Sequence, residues 1–178
     1  MNKIPPIDLS QQYKLIAPEV SIAVQQVLAS GYYIGGSEVE QFEQQFGEYI
    51  GVSDCISCNS GTDALFLALR ALDIGPGDEV IVPVFTFIAT AEVVSAVGAT
   101  PVFGDIDENT FNLDVNKLEA AITSKTRAII PVHLFGQSVN MTRLMEIAKT
   151  HQLTVIEDCA QATGATWEGE KVGGIGDI

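Results

Sequence analysis

Basic residues are scarce in this chain: 9 Lys and Arg stand against 23 Asp and Glu, a formal net charge of −14 over 178 residues. A surface of that sign repels a phosphate backbone, which excludes a nucleic-acid binder held by phosphate contacts. Cysteine is sparse too. Cys55, Cys58 and Cys159 are too few and too unevenly placed for a disulfide framework, and free thiols fit a reducing compartment. No run of about 18 apolar residues occurs, so no spanning helix is predicted. The opening MNKIPPIDLSQQYK has no apolar stretch that would make it a secretion signal. A cytoplasmic protein with neither membrane nor nucleic-acid partners is expected. Charged residues make up only 18% and hydrophobic ones 47%, which argues against disorder. A chain of this mass buries roughly 70% of its unfolded surface, enough for one compact α/β-sized domain.

The usual nucleotide signatures are missing as well. There is no GxxxxGK followed by Ser or Thr, and no GxGxxG joins a strand to a helix, because GPG at Gly75–Gly77 precedes a strand and GGIG at Gly173–Gly176 precedes the last residues. Cys55 and Cys58 do form a CxxC. It lies in the β-prone run CISC, where positions three apart face opposite ways, and no second Cys or His pair accompanies it. Ordinary half-buried cysteines are expected there, and no metal site.

What is present falls into two stretches. Residues 1–51 read as an N-terminal helical segment. One helix over 18–30 carries Val20, Val24, Val27 and Leu28 at helical spacing and stops at Gly31; a second starts at Ser37 with a stripe of Val39, Phe42, Phe46 and Tyr49. Between them GYYIGG is either a tight turn carrying aromatics into the core or part of a ligand wall. Residues 52–178 alternate short β-branched runs (55–58, 79–82, 101–103, 127–132, 153–156) with helical segments (61–72, 88–97, 114–121, 140–150). That alternation predicts a three-layer α/β/α fold with a mainly parallel sheet, whose ligands bind beyond the carboxyl ends of the strands.

Three strand ends carry chemistry. CNSGTDALFLAL runs from a strand through Asn59, Ser60, Gly61 and Thr62 straight into a helix, so free N–H groups and a hydroxyl meet the positive end of the helix dipole. Either an anion such as a phosphate sits there, or Ser60 or Thr62 only caps the helix. After EVIVP, Phe85 and Phe87 can lie over a planar ligand or join the core. In VIEDCAQATGA, Asp158 ends a buried strand, where a carboxylate either meets a cation or protonated ring nitrogen, or serves as an N-cap. An anion cradle, a stacking ring and a carboxylate for a protonated nitrogen match the three parts of pyridoxal 5′-phosphate.

GYYIGGSEVEQFEQQF, CNSGTDALFLALRALDIGPGDEVIVPVFTFIATAEVV, GATPVFGDID, HLFGQSVNM and VIEDCAQATGA, in this order from about Ile7 onward, resemble the DegT/DnrJ/EryC1/StrS family of sugar aminotransferases. These are fold-type I enzymes that use pyridoxal phosphate. The resemblance implies that residues 52–178 are the first part of the cofactor-binding large domain. It implies that Gly61 and Thr62 bind the phosphate beside Ser60, that Phe87 stacks on the pyridine ring, that Asp158 pairs with the ring nitrogen, and that Gln161 reaches the phenolic oxygen. Asp63 has no assigned role, and His133 reads equally as a catalytic residue or as a structural one supporting the neighbouring loops. The family's Schiff-base lysine follows a GD matching Gly176 and Asp177, so the resemblance places it roughly ten residues beyond Ile178, with the rest of the large domain and the small domain. No catalytic residue is expected within the 178, Lys171 being the nearest lysine, and the chain itself is expected to turn over little or not at all. For the whole enzyme the family implies a homodimer that moves an amino group from an amino acid, commonly glutamate, to a nucleotide-linked keto sugar. The family's dehydratase branch and a non-catalytic pyridoxal-phosphate-binding fragment are the rival readings.

Overall fold

The computed structural model describes residue 5 and residues 7–178; Lys3 lies outside the described residues. The chain divides into two compact units, Met1–Gln45 and Phe46–Ile178. In the first, α1 runs Ser10–Ser30, eight residues earlier than the sequence pattern predicts, with Pro18 inside it. The Asp8 carboxylate accepts from the Ser10 N–H and hydroxyl just ahead of its first turn. A proline inside a helix deletes one backbone bond without requiring the chain to begin there. Gly31 ends α1 in the left-handed region at φ 71°, as a glycine stop should. Tyr32, Tyr33 and Ile34 are all exposed, so GYYIGG does not carry its aromatics into a core. Helix α2, Ser37–Ile50, opens with Glu38 and Glu40 in its first turn, where the helix dipole favours them.

The second unit is built on a parallel sheet. Helix α3 (Gly61–Ala71) precedes β1 (Glu79–Pro83), α4 (Ala89–Ala96), β2 (Thr100–Gly104), β3 (Thr126–Ile129), α5 (Met141–His151) and β4 (Thr154–Val155). The strand order is β2-β1-β3-β4, all pairs parallel. Successive side chains on a strand point to opposite faces, and the core divides accordingly. Val80, Val82, Ala128, Ile130 and Ile156 pack with α3 and α4 on one face; Ile81, Ile129 and Val155 pack with α5 on the other. These are the three layers that the alternation predicts. The order reverses between β1, which leads to β2, and β3, which leads to β4, so the carboxyl ends of β1 and β3 flank the crevice where such sheets bind ligands. A short antiparallel pair, β5 (Thr166–Trp167) with β6 (Glu170–Lys171), completes the elements.

Three expected elements differ. Residues 55–58 are irregular and do not join the four-stranded sheet, although exposure alternates along them with Ile56 outward. The run 127–132 forms a ladder only to Ile129 and resumes as a parallel bridge of Val132 with Asp158, because Pro131 has no N–H to donate. The stretch 114–121 yields one 3₁₀ turn, Leu118–Ala121. There the Asp114 carboxylate captures the Asn116 N–H at 3.0 Å, a local bond that competes with helix formation. No helix among the described residues is long and apolar enough to cross a membrane.

Candidate cofactor site

Ser60 caps α3. Its backbone is extended, at φ −158° and ψ 157°, and its hydroxyl accepts from the Asp63 N–H at 3.1 Å. The capping reading of Ser60 therefore holds, and it leaves the Gly61 and Thr62 N–H groups at the open first turn, where an α-helix offers no internal partner. A Cβ added at Gly61 would meet nothing within 4 Å. Ser60, Gly61 and Thr62 are all exposed, so an anion has free approach.

At the carboxyl end of β1, Phe85 turns toward Phe111, with ring centroids 5.8 Å apart, while Phe87 is 73% exposed. Phe87 therefore contributes little to the core and remains open for stacking. Three residues on, Thr90 is 1% exposed; its N–H donates to the Phe87 carbonyl at 3.2 Å and its hydroxyl to Asp158 Oδ2 at 3.3 Å. The Thr86 hydroxyl lies 3.3 Å from that of Thr90.

The Asp158 main chain is fixed between Pro131 and His133: its N–H donates to the Pro131 carbonyl at 2.9 Å and its carbonyl accepts from the His133 N–H at 3.1 Å. Its Oδ1 accepts from the Ala160 N–H at 3.2 Å. No helix follows, so Asp158 is not an N-cap. Gln161 Oε1 accepts from the Phe135 N–H at 2.8 Å, which identifies the oxygen and leaves the amide nitrogen as a donor. The structure thus gathers Phe87, Asp158 and Gln161 at the strand ends. Ser60, Gly61 and Thr62 begin α3, which packs on α4, and no direct bond links them to the other three among the described residues.

His133 is fully buried. Its Nδ1 accepts the Val139 N–H at 3.1 Å and its Nε2 lies 2.9 Å from Glu157 Oε2. A nitrogen that accepts a backbone N–H carries no proton, so Nε2 is the protonated one and donates to Glu157. These bonds give His133 a role supporting the neighbouring loops. Glu157 Oε1 accepts from the N–H groups of Ile175 and Gly176 at 2.8 and 2.6 Å. Burial pushes the Glu157 carboxyl up, but the His133 bond and the N–H groups of Gly173, Gly176 and Ile175 outweigh it and hold the group below its ordinary value. Burial, with the charges of Glu157 and Asp158, pushes the Cys159 thiol up to about 12. The sulfur, His133 and Glu157 form a cluster within 4.8 Å. The histidine and the carboxylate are already saturated there and the sulfur stays a thiol, so the cluster is not set up to hold a metal ion. The Lys171 amine is committed to Tyr49, donating to its carbonyl and lying 3.5 Å above its ring centroid.

Sequence reasoning missed two of these residues, Thr90 and Glu157. A histidine inside the apolar run PVHLF and an acid inside VIED were the signal that could have paired His133 with Glu157.

A parallel α/β domain that gathers an anion-ready helix terminus, an exposed ring and a fixed carboxylate at one end of its sheet belongs to the cofactor-binding class of such domains. The chain belongs to the DegT/DnrJ/EryC1/StrS aminotransferase family, which matches residues 15–178. It is 50% identical over 175 residues to the UDP-N-acetyl-3-dehydro-alpha-D-glucosamine 3-aminotransferase of Acidithiobacillus ferrooxidans, covering 98% of this chain and 47% of that protein. Among solved structures it superposes on DesV of S. venezuelae with a TM-score of 0.96 at 46% identity, covering 98% of this chain and 47% of the other. NtdA of Bacillus subtilis, solved with bound PMP, superposes with a TM-score of 0.89 at 37% identity, over 96% of this chain and 40% of the other. The chain spans about half the length of these proteins.

Proposed function

We propose that these residues form the front of the cofactor site of a pyridoxal-phosphate-dependent aminotransferase, which moves an amino group from an amino acid to a nucleotide-linked keto sugar. The Asp158 carboxylate carries this reading. Held by the Thr90 hydroxyl and the Ala160 N–H, it keeps lone pairs for a protonated ring nitrogen, a charge that a neighbouring carboxylate favours. The Gly61 and Thr62 N–H groups beside Ser60 hold the phosphate. The exposed Phe87 ring would stack on the pyridine, and the Gln161 amide nitrogen would donate to the phenolic oxygen. Pyridoxal phosphate, when bound, supplies the electron sink for the exchange. The Lys171 amine, engaged by Tyr49, is not the nucleophile in this reading. Exposed Val84 and Ile88 support a second copy of the chain as a partner, and three free cysteines support a cytoplasmic setting.

The test is an absorbance titration with pyridoxal phosphate of the wild-type chain and of Asp158→Asn. Saturable binding that weakens about tenfold in the variant, as loss of a charged hydrogen bond should give, with no borohydride-fixed adduct on Lys171, is the expected result. Equal binding by both proteins, or none by the wild type, refutes the reading.

A further inference from the structure

The Glu157 side chain meets two separate pieces of chain. On one side it accepts from His133 Nε2, and His133 in turn holds the Val139 N–H, so the carboxylate anchors the His133–Val139 loop. On the other it accepts from the N–H groups of Ile175 and Gly176, anchoring the Gly173–Ile178 turn. Its main chain continues β4, and its N–H donates to the Ile178 carbonyl at 2.8 Å. Ile178 also donates to the Val155 carbonyl, so it brackets Ile156 in the pattern of a parallel strand pair. Gly176 is closely packed: a Cβ there would lie 3.0 Å from both Glu157 Cγ and the Val155 carbonyl oxygen, so the turn or its neighbours would have to shift.

The anchored loop and Glu157 itself adjoin the candidate site. The loop supplies the Phe135 N–H that holds Gln161 Oε1, and Asp158 follows Glu157 directly. We propose that Glu157 is a positioning residue of the cofactor site, a buried latch that ties the His133–Val139 loop and the Gly173–Ile178 turn to the end of β4 and thereby sets Asp158 and Gln161. The inference rests on the cofactor reading given above.

Glu157→Gln keeps the shape and breaks the latch. An amide has one acceptor and one donor end, so a donor must face either His133 Nε2–H or the paired N–H groups of Ile175 and Gly176. Gly176→Ala displaces the turn and leaves the carboxylate chemistry intact. Leu144→Ala, on the α5 face of the core, is the control for simple loss of stability.

Nitrogen NMR of the wild type is expected to show His133 with Nε2 protonated and Nδ1 bare. Exchange of the Ile175 and Gly176 amides is expected to speed up by about tenfold to a hundredfold in both latch variants, relative to core amides such as Ile81 and Ile129. Cofactor affinity should fall severalfold in both and stay at the wild-type level in Leu144→Ala. An imidazolium or Nδ1-protonated ring, exchange that speeds up uniformly, or wild-type affinity in the latch variants overturns the proposal. If Glu157→Gln does not fold, the wild-type tautomer and Gly176→Ala decide it. A wild type that binds no pyridoxal phosphate removes the cofactor reading and the positioning role with it, while the tautomer and exchange data still show whether the latch exists.

Discussion

The Thr90 hydroxyl reaches Asp158 Oδ2 at 3.3 Å, joining the first turn of α4 to the end of the adjacent strand pair. Thr90 is almost wholly buried, so its hydroxyl exchanges little with water, and an Asp158 side chain steered by it spends less time in unproductive rotamers.

Thr90→Val tests this link. Valine matches threonine in shape and lacks the donor, so the carboxylate loses one partner while the packing survives. The expected cost is about 1.5–3 kcal/mol of stability, the range for a hydrogen bond to a charged group. Pyridoxal phosphate affinity should fall with it. Urea unfolding and the absorbance titration read the two effects, and Thr90→Ser, which keeps the hydroxyl, should recover most of the affinity.

The start of α3 makes a separate expectation. Ser60 satisfies the Asp63 N–H, so Ser60→Ala should cost roughly 0.5–2 kcal/mol in urea unfolding and Ser60→Gly only a few tenths. Both variants retain the main-chain N–H groups of Gly61 and Thr62, so phosphate binding should change less than stability. A Ser60→Ala chain that unfolds at the wild-type urea midpoint would count against the cap.

How far the sequence could be read depended on whether a signal was local. The continuous apolar run at Glu79–Pro83 is a strand in the structure because burial on two faces leaves a pattern in one dimension. CISC has a strand-like alternation, yet joining a sheet also requires a neighbour with matching backbone groups, which residues 55–58 cannot announce by themselves. Phe87 and Asp158 were legible as strand-end residues. Thr90 and the His133–Glu157 pair were not, since each acts across at least 24 residues of chain.

The cysteines should differ in reactivity. Only the thiolate attacks an alkylating reagent, and the Cys159 thiol is pushed up to about 12 by burial and by the charges of Glu157 and Asp158. Cys58 is exposed. Iodoacetamide at pH 8 followed by mass spectrometry should label Cys58 and leave Cys159 unmodified until urea unfolds the chain. Labelling of native Cys159 at the Cys58 rate would refute the buried environment.

The Glu157 latch gives stability a definite pH dependence. Its folded carboxyl titrates below the ordinary value of 4.5, so the folded state binds fewer protons than the unfolded one there, and stability falls as protons are added. The contribution is fully present above the unfolded value and is lost as pH drops through the folded one. Asp105, lowered first by its hydrogen bond from Lys117, and Asp107, lowered by the N–H groups of Asn109 and Thr110, act in the same direction. The wild-type slope therefore sums several groups, and the Glu157 share requires a difference measurement. Urea midpoints at pH 7, 5, 4 and 3 should decline for the wild type. Glu157→Gln should start lower at pH 7 and decline less, because its amide does not titrate. Parallel curves for the two proteins would mean that Glu157 does not carry the predicted charge in the folded state.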